Sequence, residues 1–161
     1  MTDTLWSPWR MEYIRMPHDE PGGGCIFCGK PTEGDDRAAY ILARSELSFV
    51  LLNAFPYNPG HVMISPFRHV GDLTELGDEE LLDANRLIQR SIRALQDAEA
   101  PHGFNLGMNL SRVAGAGIPE HLHWHVVPRW SGDTNFMSIV GETRVLPELL
   151  AETYDRLKPR F

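Results

Sequence analysis

His121-Leu122-His123-Trp124-His125-Val126-Val127 is the stretch on which both the fold and the chemistry of this chain turn. Successive side chains of a β-strand point to opposite faces, so the three histidines share one face and Leu122, Trp124 and Val126 the other. A surface strand has no need of such a row, which holds three of the chain's seven histidines. Two chemistries are open to it. Alternate residues stand roughly 6.7 Å apart along a strand and the outer two roughly 13 Å, so one metal ion could take two neighbouring imidazoles but not all three. Alternatively the row works on an extended anion: a neutral imidazole attacks phosphorus to form a covalent intermediate, and its neighbour gives a proton to the leaving group. The loop just upstream, RVAGAGIP (112–119), favours the second chemistry, because Gly115 and Gly117 let backbone N–H groups approach an oxyanion closely.

Working outward, the triad lies in a predicted strand over 120–130, preceded by another in FNLGMNLS (104–111). AAYILAR (38–44) and ELSFVLLN (46–53) read as two strands meeting at a tight turn near Arg44-Ser45. FPYNPG (55–60) is a loop with a strong turn signal at Pro59-Gly60, and HVMISPF (61–67) is a further strand. Asp72 and Asp78 are candidate helix N-caps. After Asp78, Leu81, Asn85, Ile88, Ile92 and Leu95 recur at helical spacing, Glu79 and Glu80 occupy the dipole-favoured first turn, and Pro101 stops the helix. A last helix runs through ELLAETYDRL (148–157), with Pro147 at its N1 position. Strands, helix, strands, helix, with hairpin-length links between most strands, predict an α+β domain: a mainly antiparallel five-stranded sheet covered by one long helix. The expected organisation is a single domain over 1–161. It comprises an irregular, Pro- and Gly-punctuated arm (1–37), a core (38–130) and a C-terminal extension (131–161).

The 161 residues suit one globular domain, with 42% hydrophobic and 23% charged residues. No apolar run approaches the roughly 18 residues of a membrane span, and the N-terminus does not read as a secretory signal. Fifteen Lys and Arg against 22 Asp and Glu give a net charge of −7 and no basic cluster, which argues against a nucleic-acid polymer and for a small partner. The only two cysteines, Cys25 and Cys28, cannot build a disulfide scaffold and point to a reducing cytoplasm. As a CxxC pair they read three ways: a redox motif, which lacks its strand-then-helix context; two packing cysteines; or half of a structural zinc site that needs two more ligands. His18 and His102 read as surface residues, and Trp124, facing away from the histidines, as packing. Trp6 and Trp9 are candidates for stacking on a base, and Trp130 with the segment through Phe136 for closing over a substrate or a partner subunit.

The His-φ-His-φ-His-φ-φ pattern, with φ apolar, resembles the signature of the histidine-triad (HIT) superfamily of nucleotide hydrolases and transferases. Asn53-Ala54-Phe55-Pro56-Tyr57-Asn58-Pro59-Gly60-His61-Val62 resembles that family's upstream Asn…Pro-Gly-His-Val segment, and Asn109 stands where it places a polar residue before the Gly loop. Together these cover about residues 38–130. The flanks LWSPWRMEYI and VPRWSGDTNFM most resemble its bacterial diadenosine tetraphosphate phosphorylase-like branch. The resemblance implies a HIT-like fold, commonly homodimeric, and an enzyme cleaving dinucleoside polyphosphates with water or inorganic phosphate as acceptor. A phosphoramidate hydrolase, a non-catalytic nucleotide-binding module and a metalloenzyme using His121 and His123 on one open-site ion are the competing readings. It further implies His123 as the nucleophile that becomes nucleotidylated, His125 on the phosphate and leaving group, and His61 completing the phosphate environment. Asn53 would bind the ribose, and Asn109 with the Gly117-Ile118 backbone the phosphate oxygens. Many relatives carry a Ser or Thr hydroxyl two or three residues before the first histidine. Here Ile118 and Pro119 stand there, so that contact is backbone-only or absent. Some relatives hold a structural zinc through CxxC and two histidines, and the matching positions are Cys25, Cys28, His69 and His121.

Overall fold

The computed structural model describes residues 24–133 and 149–161. Trp6, Trp9, His18, Phe136 and Pro147 therefore lie outside the described residues. Five strands form one sheet: β1 (Ile41–Arg44), β2 (Ser48–Leu52), β3 (Val62–Pro66), β4 (Gly103–Gly107) and β5 (Trp124–Arg129). Their spatial order is β1-β2-β3-β5-β4, and every neighbouring pair is antiparallel. Helix α1 (Ile26–Gly29) is a single turn, α2 (Asp78–Glu99) is the long helix and α3 (Leu150–Leu157) lies near the C-terminus. The α+β reading with a five-stranded antiparallel sheet is thus what the chain builds. No helix among the described residues is long and apolar enough to cross a membrane.

Both faces of the sheet are covered, which is why all five residues of β2 and all five of β3 are buried instead of alternating with solvent. The pleat sorts them. Leu42, Val50, Leu52, Val62, Ile64 and Val126 face α2 and α3, whereas Ile41, Phe49, Leu51 and Met63 face Phe27 of α1. The β1–β2 turn falls where expected and is closed by Ser45, whose N–H donates to the Ser48 carbonyl at 2.9 Å.

The long helix has the predicted bounds, but its buried stripe is rotated. Ala84, Leu87, Ile88, Ser91, Ala94 and Leu95 are buried, while Asn85 is exposed. The buried face combines the large apolar Leu87, Ile88 and Leu95 with the small Ala84, Ser91 and Ala94, and leaves the polar Asn85 to solvent. Of the two expected caps one holds and one moves. Asp72 caps a short 3-10 turn (Leu73–Glu75) through the Thr74 N–H, and Gly77, not Asp78, is the N-cap of α2. The Gly77 N–H donates to Glu80 Oε2 at 3.0 Å, and Arg68 grips the same carboxylate at 2.8 Å. At the far end Ala100 adopts the left-handed conformation (φ 45°), its N–H bonded to the Gln96 carbonyl, just before Pro101. The C-terminal segment is tied to β1 by Tyr154, whose hydroxyl donates to the Ile41 carbonyl at 3.2 Å, and by Lys158, whose ammonium donates to the same carbonyl at 3.1 Å.

Candidate active site

The triad strand starts later than its sequence pattern suggests: pairing begins at Trp124, because β3 partners only residues 124–126. Residues 121–123 are nonetheless held in place. The Leu122 N–H donates to the Val70 carbonyl at 2.7 Å, and the Ser65 hydroxyl donates to the Leu122 carbonyl at 2.9 Å. The expected division of faces follows. Leu122, Trp124 and Val126 enter apolar clusters, and the three histidines look the other way, His121 and His123 onto Phe27 of α1 and His125 onto Tyr57. His61, immediately before β3, joins them. Its ring centroid lies 5.1 Å from that of His125, which is 5.0 Å from that of His123.

The hydrogen bonds commit each imidazole to one tautomer. His123 Nδ1 sits 2.9 Å from the His121 carbonyl, which only accepts, so Nδ1 carries the proton and Nε2 keeps a lone pair. The Tyr57 backbone N–H donates to His61 Nδ1 at 3.0 Å, so the His61 proton is on Nε2 and is donated to His125 Nδ1, 3.0 Å away. His125 therefore carries its own proton on Nε2. His121 Nε2 lies 2.9 Å from the Pro66 carbonyl, which places its lone pair on Nδ1. Identical residues two positions apart thus present a lone pair (His123) and a donor (His125) to the same space. His123 is 7% exposed, and this burial pushes its pKa below the ordinary imidazole value, opposed by its bond to the His121 carbonyl. Phe27 stacks on its ring at a centroid distance of 4.7 Å with 28° between planes.

His123 and His125 line a cleft of about 930 Å³, counted to its open mouth. Phe27, Leu51, Phe55 and Met63 make one part of it apolar, and Asn53, Asn109, Gly115 and Gly117 bring polar groups to it. Asn53 accepts the Phe55 N–H at 2.9 Å, and its amide nitrogen lies 3.3 Å from His61 Nδ1. Asn109 donates to the Gly115 carbonyl at 3.3 Å, which ties it to the glycine loop. The side chain of Ile118 packs against the cluster around Phe27 and Phe49 and does not line the cleft, so only its backbone is left for an oxyanion. His102 sits apart, within 3.0 Å of Ser131, and the Trp130 indole N–H donates to the Glu99 carbonyl at the end of α2.

The arm around the cysteines is more ordered than its composition suggests. Cys25 and Cys28 flank the single turn of α1, where the Cys28 N–H donates to the Cys25 carbonyl at 3.0 Å. The donor atoms of Cys25, Cys28, His69 and His121 all lie within 4.8 Å of one another. Cys25 Sγ is 3.3 Å from His121 Nδ1, and Cys28 Sγ is 3.3 Å from His69 Nδ1. Tetrahedral zinc with bonds of about 2.0–2.3 Å separates its donors by roughly 3.3–3.8 Å, which the two thiol–imidazole distances match, and a set of two thiols and two imidazoles suits that ion. The His121 ring is oriented for it by the Pro66 carbonyl, as metal-binding imidazoles require.

Sequence reasoning missed Phe27, the Tyr57 N–H and Asn58, whose amide nitrogen donates to the Pro128 carbonyl at 2.9 Å and to Asp133 at 2.8 Å. Asn58 also accepts the His61 N–H, so it pins the turn carrying His61 to the end of β5. Only its place in the Pro-Tyr-Asn-Pro-Gly turn marked it, and composition does not reveal a partner 70 residues away.

Comparison with known proteins agrees with this geometry. The HIT domain profile matches residues 36–132. The "AP-4-A phosphorylase" of Mycobacterium tuberculosis is 41% identical over 155 residues, covering 92% of this chain and 79% of that protein. The "adenosine 5'-monophosphoramidase" of Schizosaccharomyces pombe is 31% identical over 105 residues, 65% of this chain and 74% of its own. Among solved structures, a zinc-bound histidine triad family protein from Mycobacterium smegmatis superposes with a TM-score of 0.68. It covers 85% of this chain and 92% of its own at 24% identity, a likeness that speaks for the fold.

Proposed function

The chain belongs to the HIT domain family, and from that premise we propose that it is a nucleotide hydrolase or transferase that cleaves dinucleoside polyphosphates through a nucleotidyl-His123 intermediate. The observation that carries the reading is the pair of opposite tautomers at His123 and His125 in one cleft. His123 Nε2 forms a bond to the α-phosphorus. The bond from that phosphorus to the bridging oxygen breaks, and its electron pair leaves with the other half of the substrate, whose developing negative charge accepts a hydrogen bond from the His125 Nε2–H. An acceptor oxygen then attacks the phosphorus, the P–N bond breaks back to His123, and any proton on the acceptor is released to bulk water. A lone pair and a proton donor side by side serve both halves without rearrangement of the site.

Asn53 binds the ribose, and Asn109 with the Gly117-Ile118 backbone binds phosphate oxygens; the apolar part of the cleft suits a base. His61 holds the His125 tautomer. Similarity to the phosphorylase favours inorganic phosphate as acceptor over water. Cys25, Cys28, His69 and His121 would hold a structural zinc, which supplies a cross-link between the arm and the triad and no open coordination position for chemistry. The exposed Leu106, Leu110 and Val113 at and beyond the edge strand β4 support a homodimer; sedimentation showing only an 18.2 kDa species at high concentration would end that part.

The test is incubation with diadenosine tetraphosphate, with and without inorganic phosphate, followed by separation of products and of intact protein by mass. ADP plus ATP formed only with phosphate identifies a phosphorylase, and AMP plus ATP without it a hydrolase. A His123→Ala variant turning over at near wild-type rate would refute the assignment.

A further inference from the structure

A second cleft, about 1010 Å³ to its open mouth, adjoins the first and shares Tyr57, Asn109 and His125 with it. Its character is different. Asn58, Asn105, Asn109 and Arg129 line it, and Arg129 is the one Lys or Arg among its described lining residues. The guanidinium is fixed in place: Nε and Nη2 donate to Asp133 at 2.6 and 2.8 Å, and Nη1 donates to Asn105 Oδ1 at 2.6 Å. A guanidinium has five N–H groups. Two of them, and both N–H groups of the Asn105 amide, have no partner among the described residues. We propose that this cleft is a subsite for the polyphosphate half of the substrate beyond the scissile bond, with Arg129 and Asn105 as its phosphate-binding donors. The inference rests on the reading that His123 is nucleotidylated. Under that reading His125, whose Nε2–H donates a hydrogen bond to the leaving group, stands at the boundary between the two clefts.

The chemistry suits a group that must depart. Asp133 neutralises Arg129, so phosphate oxygens meet oriented N–H donors with little net positive charge. Charge-assisted bonds recognise them, and the leaving half is not trapped. Asn105 and Arg129 are diagonal neighbours across β4 and β5, where Asn105 pairs with Val127 and Arg129 with Gly103, so paired strands carry the donors.

The test compares two substrates of the wild-type protein and of Arg129→Gln and Asn105→Ala. Diadenosine tetraphosphate spans both clefts, whereas adenosine 5'-phosphoramidate, whose leaving group is ammonia, reaches only the first. Loss of a charge-assisted bond predicts a fall of about tenfold or more in kcat/KM for the tetraphosphate in Arg129→Gln, and of about threefold to tenfold in Asn105→Ala. The phosphoramidate is expected to stay within about twofold in both. Equal losses on the two substrates would overturn the subsite, because Arg129 would then act only through Asp133 and Asn58 on the catalytic turn; so would no loss on either. Asn105→Ala leaves the Arg129–Asp133 pair in place and guards against a purely structural effect of the first variant. Wild-type protein inactive on both substrates would refute the underlying nucleotidylation reading and the subsite with it, whereas an active wild type with unselective variants refutes the subsite alone.

Discussion

Replacing His61 by Leu removes the donor that sets the His125 tautomer. His61 is 1% exposed and uses both ring nitrogens: Nδ1 accepts the Tyr57 N–H, and Nε2 donates to His125 Nδ1 at 3.0 Å. In His61→Leu the His125 Nδ1 loses its buried partner and the ring is free to carry its proton there instead, leaving Nε2 unable to donate. Loss of one hydrogen bond costs about 0.5–1.5 kcal/mol. Spent on the productive tautomer, that is a fall in kcat of roughly 2- to 13-fold. KM should change less, since the apolar part of the cleft lies away from His61. The assay is initial rates on diadenosine tetraphosphate at saturating concentration, with denaturant unfolding of the same samples to confirm the fold. His61→Gln, whose amide can still donate, should recover part of the rate. A kcat for His61→Leu within twofold of wild type would refute the tautomer argument.

Three further outcomes follow from the geometry. Phe27→Leu keeps an apolar side chain but loses the ring stacked on His123; such contacts contribute about 0.5–1.5 kcal/mol, so His123 nucleotidylation in a single turnover should slow by about two- to tenfold, and an unchanged rate would show that the stack does not position the nucleophile. Cys28→Ser should lower bound zinc in protein purified without chelator, together with the thermal midpoint; full zinc retention in the variant would refute the four-ligand site. Glu80 is held down to about 2 from its ordinary 4.5, first by the Arg68 guanidinium and then by the Gly77 N–H. A lowered carboxylate pKa stabilises the fold above the ordinary value and loses that contribution as pH falls toward the folded one. The stability difference between wild type and Glu80→Gln should therefore shrink between about pH 5 and pH 2 in denaturant midpoints, and a constant difference would show that the ion pair is not coupled to folding.

Much of the sheet was legible because its strands punctuate themselves. Pro59-Gly60, Arg44-Ser45 and Pro101 mark turns through backbone chemistry that needs no tertiary knowledge. The face of α2 was not. Asn85 fits the helical period as well as Ala84, but its amide bonds to the Leu81 carbonyl of its own helix and the apolar Ala84 takes the buried place. The late start of β5 is similar: residues 121–123 alternate like a strand, but their backbone partners are Val70 and a Ser65 hydroxyl in place of a ladder. At the site, His121, His123 and His125 announced themselves by spacing, and the family resemblance drew Asn53, His61 and His69 toward them. Phe27, Asn58 and Arg129 stayed silent, since each acts through a contact made across the fold.

The row of three histidines gains its chemistry from what stands behind it. Spacing alone gives three equivalent imidazoles. They become different because His121 faces the Pro66 carbonyl with one nitrogen and two thiols with the other, the His123 Nδ1–H donates to the His121 carbonyl, and His125 Nδ1 accepts from the His61 Nε2–H. The His121 carbonyl is the hinge of this arrangement: the side chain of that residue belongs to the cysteine cluster, and its backbone sets the tautomer of the nucleophile. Any ion bound by the cluster would therefore brace the group that orients His123 while touching neither the reacting ring nor the cleft. On the proposed mechanism, a metal held there would be mechanically connected to catalysis through a single peptide group, with no part in the reaction itself.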